Sequence, residues 1–175
     1  MVQALLAALA LVVAAVVIHY ESLRTISLFT ADLTIPHRAL SLVVISGVLL
    51  AHIIEISLFA LGFYVMHVFL NLGSLKGQFE ASTLDYFYFS ATTYSTLGVG
   101  DLFPTGAIRL IAGLEALTGF VLIGWSASFT YLSMQRSWTK LSRDHHVTEP
   151  TDYHHGPEVA RVLRGPRGKT LVKAR

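Results

Sequence analysis

The chain has 175 residues, of which 53% are apolar and only 14% charged, with a formal net charge of +2. A soluble domain carries about 25% charged residues, so this balance excludes an ordinary soluble globule and leaves room for three or four membrane spans of roughly 20 residues each. Cysteine is absent, which removes disulfide frameworks and thiolate metal sites.

In chain order, residues 1–20 are an almost unbroken Ala, Leu and Val run. It lacks the basic start and the small-residue cleavage site of a secretory signal, so it is expected to be a retained transmembrane helix. Residues 21–38 read as a polar connector ending near Pro36. Residues 39–71 form a second apolar stretch, longer than the hydrocarbon core, that must tilt or project into water.

Residues 82–94 are too short and too rich in Thr, Ser and Tyr to cross a bilayer, yet spans flank them on both sides. They are expected to enter the membrane and return, ahead of a third apolar helix over residues 107–135. Irregular backbone at membrane depth is tolerated only where protein buries it or where it lines a watery path. Residues 96–101 raise that problem, and Gly98 and Gly100 suggest its solution. Glycine reaches left-handed backbone conformations without a Cβ clash, so alternating glycines allow successive carbonyls to face one side. The carbonyls of Thr96, Leu97, Gly98, Val99 and Gly100, with the Thr96 hydroxyl, are candidate ligands for a large monovalent cation if several copies converge on an axis. Asp101 would concentrate cations at the outer mouth.

The stretch Ser90 to Pro104, SATTYSTLGVGDLFP, resembles the pore helix and selectivity filter of the potassium channel superfamily, usually written TVGYGD with a proline two residues beyond the following one. The resemblance covers about Ala39 to Met134. It implies an all-α, pore-loop membrane fold of outer helix, pore helix, filter and inner helix, with the N-terminal helix added. Four subunits would form a homotetramer conducting K+. It also places Arg109, Gly119 and Gly124 where the family's inner helix carries a basic start and flexible glycines, with Gly119 the candidate hinge. Two departures stand out. Val99 occupies the place of the filter tyrosine, and Thr92 that of a glutamate that many members keep behind the filter. A weakly selective cation channel is therefore the alternative within this class.

His52 and Glu55 are three residues apart, on one face of the second span. Intramembrane ionisable groups usually point inward toward a partner, and Glu115 in the third span is the candidate. With Thr92 these residues form a candidate buried polar cluster, bracing the filter or, in a reading from another class, serving a non-conducting metal or proton sensor. The bland reading is helix-to-helix bracing alone.

Residues 136–175 carry nine Lys or Arg against four Asp or Glu. The positive-inside rule makes this tail cytoplasmic and puts the pore loop outside. With few large apolar residues the tail is expected to be mobile, its basic groups near anionic lipid headgroups. Its paired histidines, His145-His146 and His154-His155, fit a solvated linker better than a metal site. No span carries regularly spaced Arg or Lys, and no phosphate loop or catalytic constellation is present, so neither a voltage sensor nor an enzyme is expected. No organic cofactor and no nucleic-acid partner is expected, and the plasma membrane, of the bacterial inner-membrane kind, is the expected location.

Overall fold

The computed structural model describes residues 2–31 and 36–147, with side chains described over 2–31, 36 and 38–135. The elements run α1 (Val2–Ala31), α2 (His37–Val68), β1 (Leu75–Gly77), α3 (Thr83–Tyr94), β2 (Leu102–Pro104) and α4 (Ile108–Val147). The chain divides into two units, residues 1–139 and 140–175. Three stretches, Val2–Ala31, Arg38–Val68 and Ile108–Gln135, are long and apolar enough to cross a membrane. In hydrocarbon a helix is the local solution, because every backbone group finds its partner within the segment. Between the second and third of these long apolar helices the chain sets one short helix and an irregular loop.

The expected connector over 21–38 is corrected by α1, which continues to Ala31. Polarity by itself does not end a helix. Glu21 and Arg24, three apart, pair at 3.1 Å on its surface, and Thr30 returns its hydroxyl to the Ile26 carbonyl at 2.7 Å. No glycine or proline interrupts the run before Pro36, which stands at the N-cap of α2 with φ −55°. The third span is also longer than its apolar stretch. As helix, α4 runs to Val147, so residues 136–147 of the expected mobile tail are helical. The tail's remaining basic residues and His154-His155 lie outside the described residues.

Helix α1 meets α2 through a stripe of buried residues, Ala4, Ala8, Ala15, His19 and Leu23. Their spacing of four, seven, four and four keeps them on one helical face. Small residues let two backbones approach closely where no water is available to drive association. Helix α2 holds α3 by aromatic packing and polar ties. The Phe63 and Phe89 rings meet edge to face at 5.0 Å, the Ser90 hydroxyl donates to the Ile56 carbonyl at 2.8 Å, and His67 Nδ1 lies 2.6 Å from the Tyr86 hydroxyl.

Helix α3 starts at a capping box. Ser82 Oγ accepts from the Asp85 amide at 3.2 Å, while Asp85 Oδ2 accepts from the amides of Ser82 at 3.1 Å and Glu80 at 2.9 Å. Desolvation would raise the Asp85 carboxyl, but these hydrogen bonds outweigh it and hold the carboxyl below its ordinary value. Strands β1 and β2 pair antiparallel, Leu75 opposite Pro104 and Gly77 opposite Leu102, and so tie together the segments that enter and leave the pore loop.

Candidate functional site: the pore loop and the buried cluster beneath it

The loop after α3 departs from the helix without losing contact with it. The Thr96 amide donates to the Thr93 carbonyl at 2.9 Å and the Gly98 amide to the Thr92 carbonyl at 3.1 Å. From there the backbone alternates. Thr96, Gly98 and Gly100 have φ of 60°, 54° and 89°, whereas Leu97 and Val99 stay at negative φ. Glycine takes this conformation freely, but at Thr96 it costs of order 1–3 kcal/mol, the kind of strain that collects at functional sites. No atom lies within 4 Å of a Cβ built on Gly98 or Gly100, so their need for glycine is one of backbone conformation. Residues 95–100 are all exposed within the single chain, Leu97 at 69% and Val99 at 56%.

At the loop's far end the Tyr88 hydroxyl donates to Asp101 Oδ2 at 2.9 Å, and Asp101 Oδ1 accepts from the Leu102 amide. The bond to Asp101 raises the Tyr88 phenol above its ordinary value, because the carboxylate accepts from the protonated phenol and repels the phenolate. Tyr88 thus supplies a tie between pore helix and loop that the sequence did not reveal.

Beneath the loop lies a buried polar cluster whose membership differs from the expected one. His52 and Glu55 are together, His52 Nδ1 being 3.1 Å from Glu55 Oε2. Two residues absent from the expected set join them. His19 of α1 places Nδ1 2.8 Å from Glu55 Oε1, and the Tyr94 hydroxyl donates to Glu55 Oε2. His52 Nδ1 also lies 2.9 Å from the Tyr94 oxygen, so its N–H is shared between carboxyl and phenol. His19 and Glu55 are fully buried.

Glu115 and Thr92 go elsewhere. Glu115 Oε1 lies 2.5 Å from the Ser90 hydroxyl, whose single proton is shared between this oxygen and the Ile56 carbonyl, and Oε2 is buried with no hydrogen-bond partner among the described residues. The Thr92 hydroxyl donates to the Phe89 carbonyl of its own helix. The expected quartet therefore separates into three places, Glu55 and His52 with His19 and Tyr94, Glu115 with Ser90, and Thr92 on its own helix. The hidden signal for His19 was its place in the small-residue stripe, where an apolar side chain would be expected. Tyr94 carried the signal of a bulky polar ring at the last turn of the pore helix.

The candidate hinge glycines also separate. A Cβ on Gly119 would lie 2.1 Å from the Tyr94 carbonyl oxygen, whereas one on Gly124 would meet nothing within 4 Å. Gly119 is thus demanded by the close approach of α4 to the end of the pore helix, and α4 is continuous through both positions.

His19, His52 and Glu55 each bring a nitrogen or oxygen to a common region in which these atoms lie within 4.8 Å of one another. Two imidazoles and a carboxylate suit a transition metal of the zinc class, although here His19 Nδ1, His52 Nδ1 and both Glu55 oxygens are already engaged in hydrogen bonds. An open, apolar groove of about 520 Å³, bordered by Ile45, Val48, His52, Tyr94, Ser126 and Thr130, reaches one side of the cluster.

Comparison with curated proteins and with solved structures returns no significant match. The family model described as "Ion channel" matches residues 39–135, which span α2, the pore loop and the apolar part of α4. With more than half of its residues in that match, and with a short helix and an irregular loop set between two spans, the chain belongs to this family of pore-loop ion channels.

Proposed function

We propose that the protein is a potassium channel in which four copies bring residues 96–101 to a common axis. The observation that carries this reading is the alternation of left-handed backbone at Thr96, Gly98 and Gly100 in a loop exposed on the single chain. Alternation at every second residue turns intervening peptide carbonyls toward one side. Carbonyl rings from four chains then replace the hydration shell of K+, with the Thr96 hydroxyl as the last ligand. The same exposure argues for partners, since unpaired amides and carbonyls facing lipid cost several kcal/mol each. Asp101, held by Tyr88, sits at the mouth and draws cations. The basic segment beyond α4 lies in the cytoplasm against anionic lipid.

The purified protein in liposomes tests this directly. Its reversal potential should follow the potassium gradient and ignore an opposing sodium gradient. A reversal potential near zero under equal and opposite potassium and sodium gradients would instead support a weakly selective cation channel. The Val99 side chain, exposed and without a hydroxyl to tie the loop to the pore helix, favours that second reading.

A further inference from the structure

We propose that α1, which lies outside the residues matched by the family model, is a working part of the filter's support, with His19 a positioning residue for Tyr94 and the start of the filter. This rests on the filter reading of residues 96–101.

His19 occupies the fifteenth position after Ala4 on a face that otherwise buries Ala4, Ala8, Ala15 and Leu23. An apolar side chain would fill such a place without the cost of burying an imidazole at membrane depth. The ring recovers that cost by using both nitrogens. Nδ1 donates to Glu55 Oε1 at 2.8 Å, and the Ser126 hydroxyl of α4 lies 3.3 Å from Nε2, which accepts. Partners on both sides fix the tautomer and the ring orientation.

What His19 fixes is the Glu55 carboxyl. The terminal torsion of a glutamate is soft and roughly two-fold, so its rotation must be set by its partners. Oε2 serves His52 and Tyr94, while the only hydrogen-bond donor to Oε1 among the described residues is His19. His52 cannot hold the group alone, because its single Nδ1 proton is shared with Tyr94 and its ring borders the open groove. His19 is sealed at 0% exposure.

Tyr94 is in turn clamped at both ends. Its phenol is on Glu55 of α2, and its carbonyl is pressed against Gly119 of α4. It is the last residue of α3, two before the strained Thr96. A change at His19 therefore reaches the filter through one carboxyl and one phenol, a contiguous set of contacts.

The test uses the full-length tetramer in liposomes and compares His19→Phe, His19→Asn and Leu23→Ala with the unaltered protein. Two quantities are read: hydrogen exchange of the amides over 95–101, and the potassium-to-sodium permeability ratio. His19→Phe keeps a ring but loses both polar contacts. It should speed exchange of 95–101 and lower the permeability ratio by about tenfold each, the scale of one net hydrogen bond. His19→Asn, whose amide nitrogen replaces Nδ1, should restore both to within about threefold. Leu23→Ala opens the same α1 face without touching the polar chain and should leave both unchanged. The proposal is overturned if His19→Phe exchanges like the unaltered protein, or if Leu23→Ala has the same effect as His19→Phe. If His19→Phe does not assemble, Ser126→Ala decides by the same exchange measurement, faster exchange supporting the proposal and unchanged exchange overturning it. An unaltered protein without potassium preference would sink the filter's potassium assignment, while the exchange data would still decide the role of His19.

Discussion

The loop over 95–101 starts from Tyr94, whose phenol reaches a carboxyl buried among α1, α2 and α3, and it closes on Asp101, whose carboxylate takes a bond from the exposed Tyr88. At the first end three donors converge on one acceptor group out of reach of water. At the second, the Asp101 carboxylate is tied to the loop's pore helix by one exposed phenol, whose bond water can replace if it is lost. Burial makes the first end strict, since an unpaired polar group there costs its full desolvation. The second end can loosen without unfolding anything.

Breaking the strict end should have the largest effect. Glu55→Leu leaves His19, His52 and Tyr94 without their common acceptor, and each buried donor left unpaired costs about 1–3 kcal/mol. The protein is expected to lose most of its thermal stability in detergent, read as a fall in its unfolding midpoint; a midpoint near that of the unaltered protein would mean that water already enters the cluster. Gly119→Ala attacks the same end from α4. Its methyl would have to displace the Tyr94 carbonyl, an overpacking of about 1–3 kcal/mol. Gly124→Ala meets nothing and should be neutral or stabilising by up to about 1 kcal/mol, so the pair of midpoints separates packing demand from helix flexibility.

The two ends also differ in how far the sequence disclosed them. Gly98, Gly100 and Asp101 were readable because glycine and a carboxylate in an apolar frame have few other uses, and the spans were readable from their apolar runs. The end of α1 was not, because Glu21 and Arg24 satisfy each other on the helix surface, the Thr30 hydroxyl is satisfied by the Ile26 carbonyl of its own helix, and no glycine or proline precedes Pro36. The left-handed Thr96 carries no signature in its residue type. His19 lies 36 positions from Glu55, and only the packing of the alanine stripe against α2 brings them together. That Glu115 meets Ser90 and not His52 or Glu55 is hidden for the same reason, since helical spacing orders residues within a span and says nothing of how two spans are rotated.

Glu115 sharpens the comparison by showing a buried group with less support. Ser90→Ala removes the donor to Oε1 beside an Oε2 that has no partner among the described residues, at a cost of about 1–3 kcal/mol. Replacing both members, as Ser90→Ala with Glu115→Leu, should recover much of that loss, because an apolar pair leaves no carboxyl to satisfy. Unfolding midpoints of the single and double variants measure this. A double variant worse than Ser90→Ala alone would mean that Glu115 has a partner in a neighbouring subunit.

The smallest effect belongs to the exposed end, and pH reaches it without mutation. The Tyr88 phenol is raised above its ordinary value of about 10 mainly by its bond to Asp101. For a group whose folded value is raised, the contribution is fully present below the unfolded value and is lost as pH rises through the folded one. The tie from Tyr88 to Asp101 should therefore hold at neutral pH and release only in strongly alkaline solution. Tyr88→Phe should remove that alkaline step and leave the unfolding midpoint at neutral pH nearly unchanged, as followed by ultraviolet difference titration and hydrogen exchange of residues 99–102. A large loss of stability in Tyr88→Phe at neutral pH would show that the Asp101 end is as strictly held as the Tyr94 end, and the contrast between the two ends would fail.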